Sequence, residues 1–415
     1  MQDPSPKTSV DFTKQHRLQG DEVIQWFRCL RNIWEAEPGS EVVDGSPSNQ
    51  QMPLIDHVNS EEDLLIRVHS WILPYLREQL AALLPLLKPT ELQTEPGSKL
   101  DLILELQFRI AGTMTRFQSA IAMICPQPLC CTERLDDQFL KQSKAYRLDT
   151  LSDRAHDSIT STTAFFDAAR QHIQQMGLTT QESVHEVNSA ACYVKCNQDA
   201  SDKIEKTICC LKAGSEIDFI EYFWASDVRW LEQFPEDTSE IFIPDNPTRA
   251  QLRLTPEKVP PEPVIKLIRL SMPISILSKL FFKTIRRMMN TNRSQLPPYT
   301  AMNSKQLKCL CESARETGHR LCNLICLMYT IKDTAYGVET RYACREARSL
   351  LDGISPRLSA VLLIVMLHIV PMVPNTDGLS DQKYYKTWLT MWHNLMVSAI
   401  DNFGHSSLIV EHIPN

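Results

Sequence analysis

The chain has 415 residues, 43% of them hydrophobic, which is material for two packed cores. Only 12 are glycine, too few for the tight turns and phosphate loops of sheet and nucleotide-binding α/β proteins. The formal charge of −7 at pH 7 argues against nucleic acid as a partner.

The expected fold class is all-α: two bundles of long antiparallel helices, four-helix-bundle-like, joined by a proline-rich linker. The 13 cysteines are an odd number and include the neighbours Cys130–Cys131 and Cys209–Cys210. The N-terminus is hydrophilic and shows no signal-peptide apolar region. Together these point to free thiols in a reducing compartment, cytoplasm or nucleus.

In chain order, residues 1–20 read as a flexible tail. A first helix is expected over 21–36, stopped by Pro38–Gly39. After a polar loop, Ser60 and Asp63 stand at capping-box spacing. Leu65, Val68, Ile72, Leu76, Leu80, Leu83 and Leu87 then form one stripe at helical spacing, with a kink expected at Pro74. Ser98 is the expected cap of the next helix. Its stripe of Ile103, Leu106, Ile110, Met114, Phe117, Ile121 and Ile124 runs to Cys125–Pro126. So long and narrow a stripe suits a bundle. Further helices are expected over 134–176, 181–197 and 200–233. The last carries Ile217, Ile220, Trp224, Val228 and Leu231 on one face.

Six prolines then fall within Ile243–Pro263. Each removes a backbone donor and restricts its predecessor, so no helix survives there. This divides an acidic N-terminal bundle, 21–242, from a C-terminal bundle, 264–415. Helices resume over 264–290, 303–332, 339–352, 356–370 and 382–403. The apolar run Ala360–Val370 is shorter than the roughly 20 residues that span a bilayer and is interrupted by His368. It reads as a buried helix ending at Pro371, and no membrane span is expected.

Three stretches, "ILPYLREQLAALLPLLKPTEL", "SKLDLILELQFRIAGTMTRFQSAIAMICP" and "FWASDVRWLEQF", resemble an uncharacterised helical family expanded in rust fungi. The resemblance covers most of residues 60–235 and implies no activity and no catalytic motif. The two-bundle layout is also similar to that of the cyclin-D1-binding-protein group of helical adaptors. That likeness implies partner binding and designates no site residue.

The strongest local signal is "SKLFFKTIRRMMNTNR", residues 278–293. From Val264 to Cys311 there are nine Lys or Arg and no Asp or Glu, whereas residues 1–263 carry 25 basic against 40 acidic residues. Leu277, Leu280, Phe281, Ile285 and Met288 line one face of this helix. Lys279, Lys283, Arg286 and Arg287 line the other and are the candidate partner or lipid surface. A basic amphipathic helix over 276–290 reads as peripheral anionic-membrane or calmodulin binding. The competing reading is a bundle helix whose basic face meets acidic residues of the first half.

Cys309, Cys311, His319, Cys322 and Cys326 raise a metal site, since zinc takes four thiolate or imidazole ligands. One continuous helix holds Cys309 and Cys326 about 25 Å apart, however, and Cys311 and Cys322 fall on an apolar stripe where cysteine packs as a small hydrophobe. Cys192 and Cys196 repeat the spacing of Cys322 and Cys326. His185–Glu186 lacks the second histidine of a zinc protease, and no phosphate loop, dinucleotide fingerprint or nucleophile elbow is present. No catalytic, cofactor-binding or metal residue is therefore assigned. The expected function is a non-enzymatic helical interaction or adaptor protein with a protein partner and no small-molecule substrate. A metal- or thiol-dependent enzyme ranks below the membrane and calmodulin alternatives.

Overall fold

The computed structural model describes residues 14–35, 61–126, 133–180, 191–242, 262–333, 338–374 and 381–412. Among these residues the regular structure is entirely helical, in two compact units. The first holds the described residues up to 126 and 147–212. The second holds 133–146 and those from Ala213 onward. The division thus falls at Lys212–Ala213, ahead of the expected one. The expected 243–263 linker lies outside the described residues up to 261, as does Ser60.

The first unit contains α1 (Lys14–Glu35), α2 (Glu61–Arg67), α3 (Leu73–Leu86), α4 (Pro89–Thr94), α5 (Pro96–Ile124), most of α6 (Ala145–Gln175) and α7 (Ala191–Lys212). α5 packs against α1 and α3, and α3 packs against α7. Phe27 and Trp34 of α1 meet Phe166 of α6 at ring separations of 5.6 and 6.0 Å. Ser158 of α6 bonds Thr207 of α7 at 2.9 Å. The ring of five long helices thereby closes around one core. Val68, Leu76, Leu80 and Leu83 of the anticipated stripe are in it, with Ile103, Ile110, Met114, Phe117 and Ile124 of α5.

Several boundaries differ from expectation, each for a local reason. α1 begins at Lys14, inside the expected tail. It docks there because Gly20 faces the Leu178 carbonyl so closely that a Cβ would lie 1.8 Å from that oxygen. α5 begins at Pro96, so Ser98 is inside the helix and its hydroxyl turns back to Glu95 O at 3.4 Å. Proline at the first position needs no amide donor. α7 runs unbroken through 198–199 because the amide of buried Asn197 is satisfied by Leu80 O at 3.0 Å. The break falls at 213–215 instead, where Ser215 and Asp218 form a reciprocal cap: Asp218 N donates to Ser215 Oγ at 3.0 Å and Ser215 N to the Asp218 carboxylate at 3.3 Å.

The second unit contains α8 (Glu216–Phe242), α9 (Glu262–Thr291), α10 (Ser304–Asp333), α11 (Val338–Ile364) and α12 (Asp381–Glu411). α9, α10, α11 and α12 pack in a closed ring, and α8 lies against α9 and α10. Trp224 of α8 sets its edge on Phe282 of α9 at 5.2 Å and donates its indole N–H to Leu310 O of α10 at 2.9 Å. Gly318 lets α10 approach α8, since a Cβ there would meet the Trp230 ring at 2.8 Å.

α11 is one helix where two were expected. Pro356 sits inside it, exposed, as is Asp352, whose carbonyl loses its partner to the proline; water can take that carbonyl on the outer face. Glu339–Met372 is long and apolar enough to cross a membrane by length and composition. Val361, Val365 and Ile369 on its inner side are buried, as in a core helix. Leu363 and Leu367 are exposed.

Candidate interaction surface and a buried polar centre

The cationic helix is α9. Its oily side is core: Phe281, Phe282, Ile285, Met288 and Met289 are buried. The four basic residues separate into two pairs. Arg286 turns to α8, where its Nε donates to both oxygens of Glu221 at 2.9 and 3.0 Å and its other nitrogen completes a fork. Those hydrogen bonds push the guanidinium pKa above its usual value, against a smaller desolvation effect. Lys279 also faces α8, donating to Glu232 O at 2.6 Å. Lys283 and Arg287 are exposed.

α12 runs antiparallel beside α9. The Phe281 ring stacks on Trp392 at 4.1 Å, and Trp392 donates to Leu277 O at 2.8 Å. One helix end further along, Arg287 lies near Tyr385. Burial raises the Tyr385 pKa, Asp381 and Tyr384 add to the rise, and Arg287 opposes it. This pairing brings Leu280, 42% exposed, level with Met391 and Leu395, 53% and 50% exposed. Tyr384, whose ring meets that of Tyr385 at 5.3 Å, is 62% exposed. Met391 and Leu395 line an open groove of about 580 Å³ with Lys386, Thr387, Thr390, Asn394 and Ser398. The resulting face is apolar in its middle and cationic at the rim. A membrane or a calmodulin-like groove that required the oily face of 276–290 would have to draw it out of the core.

A second constellation, absent from the sequence analysis, is buried in the same unit. Residues 134–144, expected within a helix, instead form turns around Asp137, and only Lys141–Ser143 make a short 3-10 turn. The Asp137 carboxylate accepts from the first amides of two helices, Ala145 N of α6 at 2.9 Å and Ser304 N of α10 at 2.8 Å, and from the Ser304 hydroxyl. Such amides have no intrahelical partner, and a negative charge suits the positive end of a helix. Lys144, fully buried, pairs with fully buried Glu216 and donates to Thr300 O at 3.1 Å. Glu216 in turn accepts from Thr300 N at 3.0 Å. His368 lies near this pair. Burial lowers its pKa, Lys144 lowers it further, and Glu216 opposes them. Every charged group here has hydrogen-bonded partners, the condition under which buried ions are tolerated. No motif spacing announces the cluster, because Asp137, Lys144, Glu216, Thr300 and Ser304 come from three distant stretches of chain.

Cys309 and Cys326 stand on one continuous helix, α10, which keeps them apart as its rise requires. Among the described residues no three His, Cys, Asp or Glu side chains are grouped to hold a metal ion. Cys311 is buried, and burial raises the Cys309 thiol. His185–Glu186 lies outside the described residues.

These features define a two-unit helical protein. The model of a domain of unknown function, DUF8723, matches residues 61–212, and that of a second, DUF8721, matches residues 215–405. The junction between the two matches coincides with the Ser215–Asp218 cap. No curated protein matches the chain.

Proposed function

We propose that this chain is a non-enzymatic helical interaction protein, working through the exposed face between α9 and α12, and that its partner presents an acidic amphipathic helix. The observation that carries the reading is the juxtaposition of half-exposed Leu280, Met391 and Leu395 with exposed Lys283 and Arg287. Full burial of such an aliphatic side chain contributes about 1.5–3 kcal/mol, so each half-exposed one offers roughly half of that. An apolar seam takes the oily stripe of a docked helix, and the cationic rim selects acidic flanks.

Lys279 and Arg286 have a different role in this reading: they fasten α9 to α8. The test is a selection of acidic amphipathic helical peptides on the wild type, followed by anisotropy titration on Lys283→Glu/Arg287→Glu and Met391→Glu/Leu395→Glu. Both variants are expected to melt near wild type and to bind at least about tenfold more weakly, a loss of ~1.4 kcal/mol. Selected peptides that bind wild type and both variants equally would remove the proposal. Flotation of wild type, and not of Lys283→Glu/Arg287→Glu, with phosphatidylserine vesicles in the absence of peptide binding would transfer the surface to an anionic membrane.

A further inference from the structure

We propose that α1 is exchanged between copies of this chain: the groove that holds it, formed by α5, α6 and the turn after α6, also takes α1 of a second copy. The exchange is independent of the α9–α12 face and follows from how α1 is held. Val23, Ile24, Phe27, Leu30 and Trp34 are buried, a stripe at helical spacing. On the α6 side Phe27 and Trp34 meet Phe166. On the α5 side the Gln107 amide donates to Val23 O at 3.0 Å, and buried Ile103 and Ile110 share the face of Gln107. The N-terminal half is keyed more closely. Gly20 admits the Leu178 carbonyl where no side chain fits. Asp21 accepts from Thr180 N at 3.1 Å and from the Thr179 and Thr180 hydroxyls. The groove thus selects a helix with glycine, then aspartate, then an apolar stripe that ends in tryptophan. The helix that carries this pattern is the chain's own.

The second observation is the connection. Gln19 donates to Asp101 at 3.0 Å and Gln107 to Val23 O, so α1 and α5 run in the same direction. α3 leads through α4 into α5 and packs against it, hence antiparallel, and α2 ahead of α3 also packs on α5. The end of α1 and the start of α2 therefore stand toward the same end of α5. Between them come residues 36–60, 25 in number. Neighbouring helices are commonly joined by about 2–8 residues, and 25 residues reach about 80–90 Å when extended. That length is enough for α1 to serve its own groove or that of another copy. α1 also lies outside the family match at 61–212, whose core it covers.

Exchange remakes each of these contacts and alters only the path of the connection, and reciprocal exchange closes a two-fold dimer. A tethered helix competes for its own groove at an effective concentration on the order of mM. The exchanged form is therefore expected to grow as protein concentration rises toward that value.

The experiment mixes reduced full-length Asp21→Cys with full-length Thr180→Cys at increasing concentration. The mixture is oxidised and its peptides are searched for a 21–180 disulfide, a bond that forms there only between copies. Asp21→Cys/Thr180→Cys in one chain is expected to close the same bridge internally. The mixture is expected to yield the bridge in covalent dimers, in an amount that rises with concentration. A double variant that closes its own bridge beside a mixture that yields none overturns the exchange. A second arm needs no cysteine variant. A labelled peptide of residues 14–35 is titrated into full-length wild type and into full-length Gly20→Ala, whose own α1 is pushed off the Leu178 carbonyl by the added methyl. The variant is expected to bind the peptide at least about tenfold more tightly than wild type. The same peptide carrying Gly20→Ala should bind neither protein, although alanine makes it the better helix. Equal binding of the peptide by both proteins, or unimpaired binding of its Gly20→Ala form, overturns the proposal.

Discussion

The two units bury polar groups in different ways. In the first, the buried polar groups that bridge helices are mostly neutral. Gln107 of α5 donates to Val23 O of α1 at 3.0 Å, Asn197 of α7 to Leu80 O of α3 at 3.0 Å, and His172 bonds Leu87 O at 2.9 Å. In the second, charges do this: Asp137 caps two helices and Lys144 pairs with Glu216. A neutral amide donating to a carbonyl that already serves its own helix leaves little behind when removed. A buried ion deprived of its counterion leaves an uncompensated charge. The second unit should therefore be the more brittle toward polar substitution.

The largest effect that can break this contrast is Lys144→Met. It strands Glu216, and chemical denaturation should show the second unit less stable by about 3–5 kcal/mol. Lys144→Met/Glu216→Leu should recover part of the loss, because the pair then leaves together; a double variant worse than the single would refute the ionic account. Next comes Asp137→Ala, which uncaps α6 and α10 at once and should cost about 2 kcal/mol in the same measurement. Gln107→Leu in the first unit should cost only about 1 kcal/mol or less, since the Val23 carbonyl remains in its helix. A loss there as large as that of Lys144→Met would erase the distinction.

The smallest effect is a pH slope. Burial lowers the pKa of His172 below its usual 6.5, against the favourable bond to Leu87. Below pH 6.5 the unfolded chain takes up the proton before the folded one does. Stability is thus fully present above that pH and declines as pH falls toward the lowered folded pKa. Denaturation of wild type and His172→Phe between pH 7.5 and 5, as an order-of-magnitude window around that pKa, should show the shallower slope in the variant.

A second pair of regions starts from the same local signal and ends differently. Val68–Ile72 and Val365–Ile369 each widen into a π-turn, with Leu73 N bonding Val68 O and Val370 N bonding Val365 O. Both share the pattern Val-x-x-x-Ile-x-Pro, with Pro74 and Pro371 two residues past the turn. A proline cannot donate back along the helix, and the wider turn absorbs the fault. After Pro74 the chain continues as α3, because Leu76, Leu80 and Leu83 bury a stripe. After Pro371 it leaves through a short 3-10 turn, with Pro374 ahead and no such stripe.

Much of the fold was legible because helical stripes are local. Most of the core faces of α3, α5 and α8 were anticipated, although Leu106 and Ile121 are only half-buried and buried Leu73, Leu100 and Phe219 were not named; the end of α5 at Cys125–Pro126 was anticipated too. The misplaced boundaries depended on partners distant in sequence: Leu178 for Gly20, Leu80 for Asn197, Ser304 for Asp137. The Ser215–Asp218 cap was readable in principle, as a short-range signal overlooked beside a continuous apolar pattern.

Taken alone, the sequence determined the all-α class, the two-part build and the amphipathic, cationic character of α9, since periodicity and charge need no neighbours to be read. Tertiary structure decided which cations are fastened and which are exposed: Glu221 and the Glu232 carbonyl engage Arg286 and Lys279, while Lys283 and Arg287 are left at the surface. It also decided that Lys144 is a core residue. A lysine enters a core only where a carboxylate and a carbonyl converge on it, and those groups here come from residues 216 and 300, brought together by the packing of the second unit.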